Sequence, residues 1–100
     1  MTEVLVAFDT TITAPDGSRW TPRACGARAV DGLWEGWIEF VSADGPSATV
    51  RTPRETEQPN RADLLYWATG LTQAYLEGAL NRAIATARST QTPHRLDATP

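Results

Sequence analysis

The stretch Gly32-Leu33-Trp34-Glu35-Gly36-Trp37-Ile38-Glu39-Phe40-Val41-Ser42 narrows most what this chain can become. It alternates with period two, sending Trp34, Gly36, Ile38 and Phe40 one way and Leu33, Glu35, Trp37, Glu39 and Val41 the other. That period belongs to a half-buried β-strand, with the first face turned to the core. The preceding Asp31-Gly32 predicts a two-residue hairpin turn of the class that needs positive φ. Such a loop places Ala29 opposite Trp34, Ala27 opposite Gly36, Cys25 opposite Ile38 and Arg23 opposite Phe40 on the core side. On the other face Arg28 meets Glu35, and Gly26 lies under Trp37.

The neighbouring segments fit the same sheet. Val4 to Thr13 reads as a first strand, with Val4, Val6, Phe8 and Ile12 on its apolar face. Ala14-Pro15-Asp16-Gly17 has type I turn chemistry and returns the chain as a second strand, Ser18 to Val30. Pro22 removes a ladder donor there, predicting an irregularity near Thr21 to Arg23. After the turn Ala43-Asp44-Gly45-Pro46, a fourth strand from Ala48 to Thr56 sets Phe40 opposite Val50 and Glu39 opposite Arg51.

From Asn60 the period becomes helical. Asn60 is an N-cap with Asp63 three residues on, and Leu64, Leu65, Trp67 and Ala68 give a short helix an apolar side that ends at Gly70. Thr72 caps a second helix, with Leu71 and Leu76 at hydrophobic-staple positions and a stripe of Leu76, Ala79, Leu80, Ala83, Ile84 and Ala87. Residues 89–100 lack periodicity and predict a disordered tail after a single domain, 1–88. Strands followed by helices, rather than alternating with them, specify an α+β fold. Its expected form is a four-stranded antiparallel β-meander followed by two C-terminal helices packed on one face. Gly36, bare on the core face, leaves room there for a ring such as Trp67.

The chain is 41% hydrophobic, and no apolar run reaches the ~20 residues a membrane helix needs. A net charge of -3 argues against broad binding to nucleic acid or to an anionic membrane. The nine basic residues are all Arg. A single cysteine, Cys25, and an N-terminus without a basic leader predict a cytoplasmic protein without an internal disulfide.

From Trp20 to Ala85 the chain resembles a family of small, uncharacterised bacterial proteins. The resemblance rests on Gly32-Leu33-Trp34-Glu35-Gly36-Trp37-Ile38-Glu39-Phe40, on the run from Arg54 to Leu64, on Tyr66-Trp67-Ala68-Thr69-Gly70-Leu71-Thr72 and on Tyr75-Leu76-Glu77-Gly78-Ala79-Leu80. It implies no activity, ligand or cofactor, so the chemistry must come from the residues themselves.

Histidine-assisted nucleophilic catalysis needs an imidazole beside the nucleophile, and the only histidine, His94, falls in the tail. Cys25 is expected in the core as an inert thiol. Glu35 and Glu39 share a face but stand about 13 Å apart at strand rise, too far for a paired acid and base. No ligand set for a metal and no phosphate-cradling loop is present, so neither cofactor nor metal is expected.

Two surfaces remain. Trp37 on the helix-free face, with Leu33, Val41 and Trp20 beside it, predicts an exposed apolar strip suited to a protein partner or a second copy. Arg51 would join it in a second reading, single-stranded nucleic-acid binding by base stacking, which the net charge opposes. The polar turn Arg54, Glu55, Glu57 and Arg61, where a strand end meets a helix N-terminus, is the third reading: a small-molecule or enzyme site. The leading expectation is a non-catalytic interaction domain.

Overall fold

The computed structural model describes residues 1–45 and 48–91. Strands β1 (Thr2–Ala7), β2 (Ile12–Thr13), β3 (Arg19–Arg28), β4 (Trp34–Ser42), β5 (Thr49–Arg51) and β6 (Thr56–Gln58) precede helices α1 (Arg61–Thr69) and α2 (Gln73–Gln91). The sheet is antiparallel with order β1-β3-β4-β5; β2 continues the β1 edge along β3, and β6 continues the β5 edge along β4. This is the expected meander, its first and last strands each broken in two. The helix-side core joins Ile38 and Phe40 of β4, Ile12 of β2, and Leu76, Ala79, Leu80 and Ala83 of α2. Phe8, Trp20, Val50, Trp67, Leu71 and Ile84 pack around it.

The β3–β4 hairpin is one residue longer than the Asp-Gly dipeptide suggests. Gly32 N–H donates to the Ala29 carbonyl at 3.0 Å and Ala29 N–H to the Leu33 carbonyl at 2.7 Å, closing a loop of Val30, Asp31 and Gly32. Positive φ falls on Gly32 alone, at 87°, since no non-glycine residue has it among the described residues. The turn is therefore type I followed by a left-handed glycine, and Asp31 escapes the strained conformation that a two-residue turn would impose. The first hairpin has the same design: Gly17 N–H donates to the Ala14 carbonyl at 2.9 Å, and Gly17 has φ 88°. In both, the aspartate carboxylate accepts from the backbone two residues on, Asp16 from Ser18 and Asp31 from Leu33.

The extra residue moves the register by one and corrects the expected pairing. Ala24 faces Ile38, Cys25 faces Trp37, Gly26 faces Gly36, Arg23 faces Glu39 and Arg28 faces Trp34. A slip of one inverts which β3 side chains meet the helices. Gly26, Ala24 and Trp20 share the core face with β4's Gly36, Ile38 and Ser42, whereas Cys25 and Arg23 turn outward with Trp37 and Glu39. The β4–β5 register is as expected, Phe40 opposite Val50 and Glu39 opposite Arg51.

The irregularity expected at Pro22 falls on the facing chain. The β3–β4 ladder runs through Pro22 opposite Phe40, while the first strand bulges between Val4 and Val6 and breaks after Ala7 alongside Thr21 and Pro22. The bulge puts Val4 on the face of Cys25, away from the expected core position, and turns Leu5 toward Gly26. On the other edge, Arg51 pairs with Glu39 but Thr56 pairs with Gly36. Two extra residues, Pro53 and Arg54, are thus looped out between β5 and β6.

Two glycines let α1 approach the sheet. A Cβ on Gly36 would lie 2.8 Å from Leu64 Cδ1, 2.8 Å from Trp67 Cζ3 and 3.0 Å from Thr56 Cγ2. One on Gly26 would lie 2.5 Å from Leu64 Cδ2. Leu64 is fully buried over this Gly26–Gly36 pair, and Trp67 takes the space that the bare Gly36 leaves. Asn60 caps α1 by accepting from Asp63 N–H at 2.8 Å, and Thr72 caps α2 by accepting from Tyr75 N–H at 3.2 Å. Helix α2 continues through Gln91 rather than ending at Arg88; residues 92–100, the rest of the expected tail, lie outside the described residues.

Candidate functional site

Both helices lie on the Gly36, Ile38 and Phe40 side of the sheet, and among the described residues no second layer covers the other side. Cys25 and Trp37 occupy the middle of that helix-free side, yet they are only 1% and 4% exposed. Side chains cover them. The Arg51 guanidinium, delivered by β5 from directly opposite Glu39, lies 4.2 Å from the centroid of the Trp37 ring. Trp37 Nε1–H donates to Glu39 Oε2 at 3.2 Å, and Arg23 reaches Glu39 Oε1 with Nε at 3.0 Å and Nη2 at 2.8 Å. Indole, carboxylate and two guanidiniums thus form one continuous layer.

Electrostatics follow from this packing. Burial works to raise the Glu39 carboxyl, but the hydrogen bonds from Trp37 and Arg23 and the charge of Arg23 outweigh it and hold Glu39 below the usual carboxylate value. Burial, helped by the Glu39 charge, pushes the Cys25 thiol up to about 11, so it stays protonated and a poor nucleophile at neutral pH. Arg51 differs from its neighbours. Its contact is the π face of Trp37, no carboxylate of the described residues lies within ion-pair distance, and its side chain is exposed. Among the described residues its guanidinium donates no hydrogen bond.

The expected apolar strip is not present in the form the sequence suggested. Trp37 is on the predicted face but buried; Leu33 and Val41 are partly exposed near it. Trp20 is on the opposite face, packed against the core with Nε1–H donating to Ser18 Oγ at 2.8 Å. The register slip that inverted β3 also carried Trp20 to the helix side. The covered Trp37 ring offers no free face on which to stack a base.

Of the polar turn only Arg54 and Glu57 are brought together; Arg61 and Glu55 are engaged elsewhere. Arg54 Nη1 donates to Glu57 Oε2 at 3.1 Å and lies 3.7 Å from Glu35. Arg61, at the start of α1, forks onto Glu3 of β1 with Nε–Oε1 3.0 Å and Nη2–Oε2 2.7 Å. Glu55, its side chain only 9% exposed, turns toward α2 and accepts from Tyr75 Oη at 2.5 Å and from Arg82 Nη2 at 2.5 Å. Burial raises Glu55, and the bonds from Arg82 and Tyr75 with the Arg82 charge more than offset it, so its pKa is lowered. The Tyr75 hydroxyl, partly buried and bonded to that carboxylate, is pushed up to about 12. Glu55 therefore fastens the β5–β6 crossing to α2. Tyr75 and Arg82 were not anticipated, nor was the part played by Glu39 and Arg23.

A cleft of about 250 Å³ lies between α2 and the β2–β3 turn, lined by Ile84, Ala85 and Arg88 on one side and Pro15 and Asp16 on the other, away from both candidate surfaces. Among the described residues no group of three or more His, Cys, Asp or Glu side chains is placed to hold a metal ion, and no helix is long and apolar enough to cross a membrane. Set against protein-family models, curated proteins and solved structures, the chain finds no match.

Proposed function

We propose that this chain is a non-catalytic interaction domain whose helix-free sheet face receives a protein partner, with Arg51 as its principal contact. The observation that carries the reading is the stack of Arg51 on Trp37. The neighbouring cations Arg23 and Arg54 are bonded to glutamates of this chain, whereas Arg51 lies on an aromatic ring and, among the described residues, meets no carboxylate. A guanidinium fixed in this way binds a partner's carboxylate without first losing side-chain freedom, and arginine and tryptophan dominate the energetics of protein interfaces. Carboxylate is the partner chemistry that fits.

The test uses Arg51→Glu, a change at an exposed position. Full-length wild type and variant, matched in melting temperature, are immobilised and exposed to the same cell lysate. A protein retained reproducibly by wild type and lost from Arg51→Glu is the expected result. Identical retention by both, or none by either, refutes the reading.

A further inference from the structure

We infer that Arg23 is a positioning residue for Arg51: by holding the Glu39 carboxylate, it keeps Arg51 from pairing with Glu39 and so leaves Arg51 to a partner. This rests on the reading of Arg51 as the contact residue and adds what sets its availability.

Three strands place the groups in one row. Glu39 of β4 is the register partner of Arg23 on β3 and of Arg51 on β5, so one carboxylate stands between two guanidiniums. Side chains directly opposite each other in an antiparallel pair lie within contact range, and opposite charges there attract. The carboxylate is nevertheless shared unequally. Arg23 bonds Oε1 with Nε at 3.0 Å and Nη2 at 2.8 Å, and the Trp37 indole N–H bonds Oε2 at 3.2 Å. With both oxygens engaged, Arg51 lies instead on the Trp37 ring, 4.2 Å from its centroid.

Burial makes this arrangement depend on Arg23. The Glu39 side chain is only 17% exposed. A carboxylate so far out of water is costly without a cation, and removing one partner of such a pair leaves the other charge unpaired. Once Arg23 is gone, the remaining register partner is Arg51, which already lies over the ring whose N–H is bonded to Glu39. A cation–π contact at an exposed guanidinium is weak and does not hold Arg51 back from that carboxylate. Glu39 offers Arg51 the same chemical group that a partner would offer, and is therefore an internal competitor for the site. Arg23 removes the competitor.

Full-length protein labelled with 15N-arginine tests this through the Arg51 Nε–H signal, assigned by its absence from Arg51→Lys. In wild type this proton should exchange fast with water. In Arg23→Gln it should exchange roughly tenfold more slowly, as befits a hydrogen bond to a charged group. Combining Arg23→Gln with Glu39→Gln should restore the wild-type rate, although the double variant has lost more bonds. Arg54→Gln, which removes an equal charge away from Glu39, should leave the rate unchanged. Tetraglutamate, titrated onto each protein and followed at the Arg51 and Trp37 N–H signals, should bind Arg23→Gln more weakly than Arg54→Gln. Should Arg23→Gln fail to fold, Arg23→Lys decides, because a single ammonium holds Glu39 less completely and should slow the exchange part of the way. An Arg51 signal that is the same in wild type and in the folded Arg23 variant, or a double variant that stays like Arg23→Gln, would overturn the positioning role. Wild type that binds no tetraglutamate and captures no protein, while the Arg51 signal still switches, would refute the contact reading and leave the competition between Arg23 and Arg51 standing. Capture through Arg51 that Arg23→Gln leaves intact would refute the positioning role alone.

Discussion

Replacing Gly36 by alanine probes the contact on which the arrangement of helix and sheet depends. The new Cβ would fall 2.8 Å from Leu64 Cδ1 and 2.8 Å from Trp67 Cζ3, with Thr56 Cγ2 at 3.0 Å. Carbon atoms are at ease at about 3.5–4.0 Å, so Leu64 and Trp67 must each retreat by roughly 1 Å. Both lie in α1, pinned by the Asn60 cap and by the Arg61–Glu3 ion pair, so the retreat is resisted. Overpacking of this kind costs about 1–3 kcal/mol. Against it stands the gain of removing a glycine from a strand interior, about 0.5–1 kcal/mol. The net expectation is a loss of about 1–2 kcal/mol, which lowers the melting temperature of a domain this size by roughly 5–15 °C. Urea denaturation with a two-state fit measures it. Leu64→Ala provides the internal check: it opens a cavity costing about 2–5 kcal/mol alone, and combined with Gly36→Ala the total loss should fall short of the sum by about 1 kcal/mol. If Gly36→Ala were as stable as wild type, or if the two losses simply added, the close approach of α1 would not be what the glycine serves.

Gly78 gives the opposite sign, since a Cβ there would meet only Arg82 Nη1 at 3.5 Å; Gly78→Ala should raise stability by about 0.5–1 kcal/mol in the same urea assay. The lowered pKa of Glu55 means that its bonds to Arg82 and Tyr75 stabilise the fold above the ordinary carboxylate range and lose that effect as pH falls through it. Melting temperatures between about pH 6 and about pH 3 should therefore decline less steeply for Glu55→Gln than for wild type. An equal slope would remove Glu55 from the acid response. Tyr75, at about 12, should titrate late in ultraviolet absorbance, and Tyr75→Phe should delete that late phase. Cys25, at about 11 and 1% exposed, should react with a thiol reagent only after the protein is unfolded. Rapid modification of native protein would contradict the packing of Cys25 beside Trp37.

The sequence carried most of the strand and helix plan because those elements are specified locally. Period two over β4, Asn60 and Thr72 as caps, and the β4–β5 register all depend on residues close together in the chain. The β3 register failed at a single choice that an Asp-Gly dipeptide leaves open: the pair can fill a two-residue turn or the last two positions of a three-residue loop. The deciding signal was nevertheless in the chain. Ala14-Pro15-Asp16-Gly17 and Ala29-Val30-Asp31-Gly32 share the pattern Ala-x-Asp-Gly, and Pro15 with φ near -65° excludes for the first a turn that needs positive φ at that position. Reading the second hairpin by analogy with the first puts Gly26 opposite Gly36, Trp20 on the core side and Cys25 beside Trp37. The bulge between Val4 and Val6 had no such signal, because Val4, Leu5 and Val6 are all apolar and either face would accept them.

The candidate surface was harder to read than the fold because a side chain's exposure is decided by what other strands bring to it. Alternation placed Trp37 on the helix-free side correctly, but its cover arrives from Arg51, fourteen residues on, and from Glu39, anchored by Arg23 of β3. The polar turn shows the same limit from the other direction. Glu55 stood out in sequence beside Glu57 and Arg61, yet its partners are Tyr75 and Arg82, on one face of α2 with Gly78 between them. Two turns of helix separate that tyrosine from that arginine, and the Arg82 guanidinium lies over the Tyr75 ring at 5.4 Å. Residues adjacent in sequence were thus drawn to three separate structural tasks: Glu55 to α2, Glu57 to Arg54, and Arg61 to β1. Among the described residues Arg51 has no carboxylate within ion-pair distance, and the acidic partner proposed above follows from that.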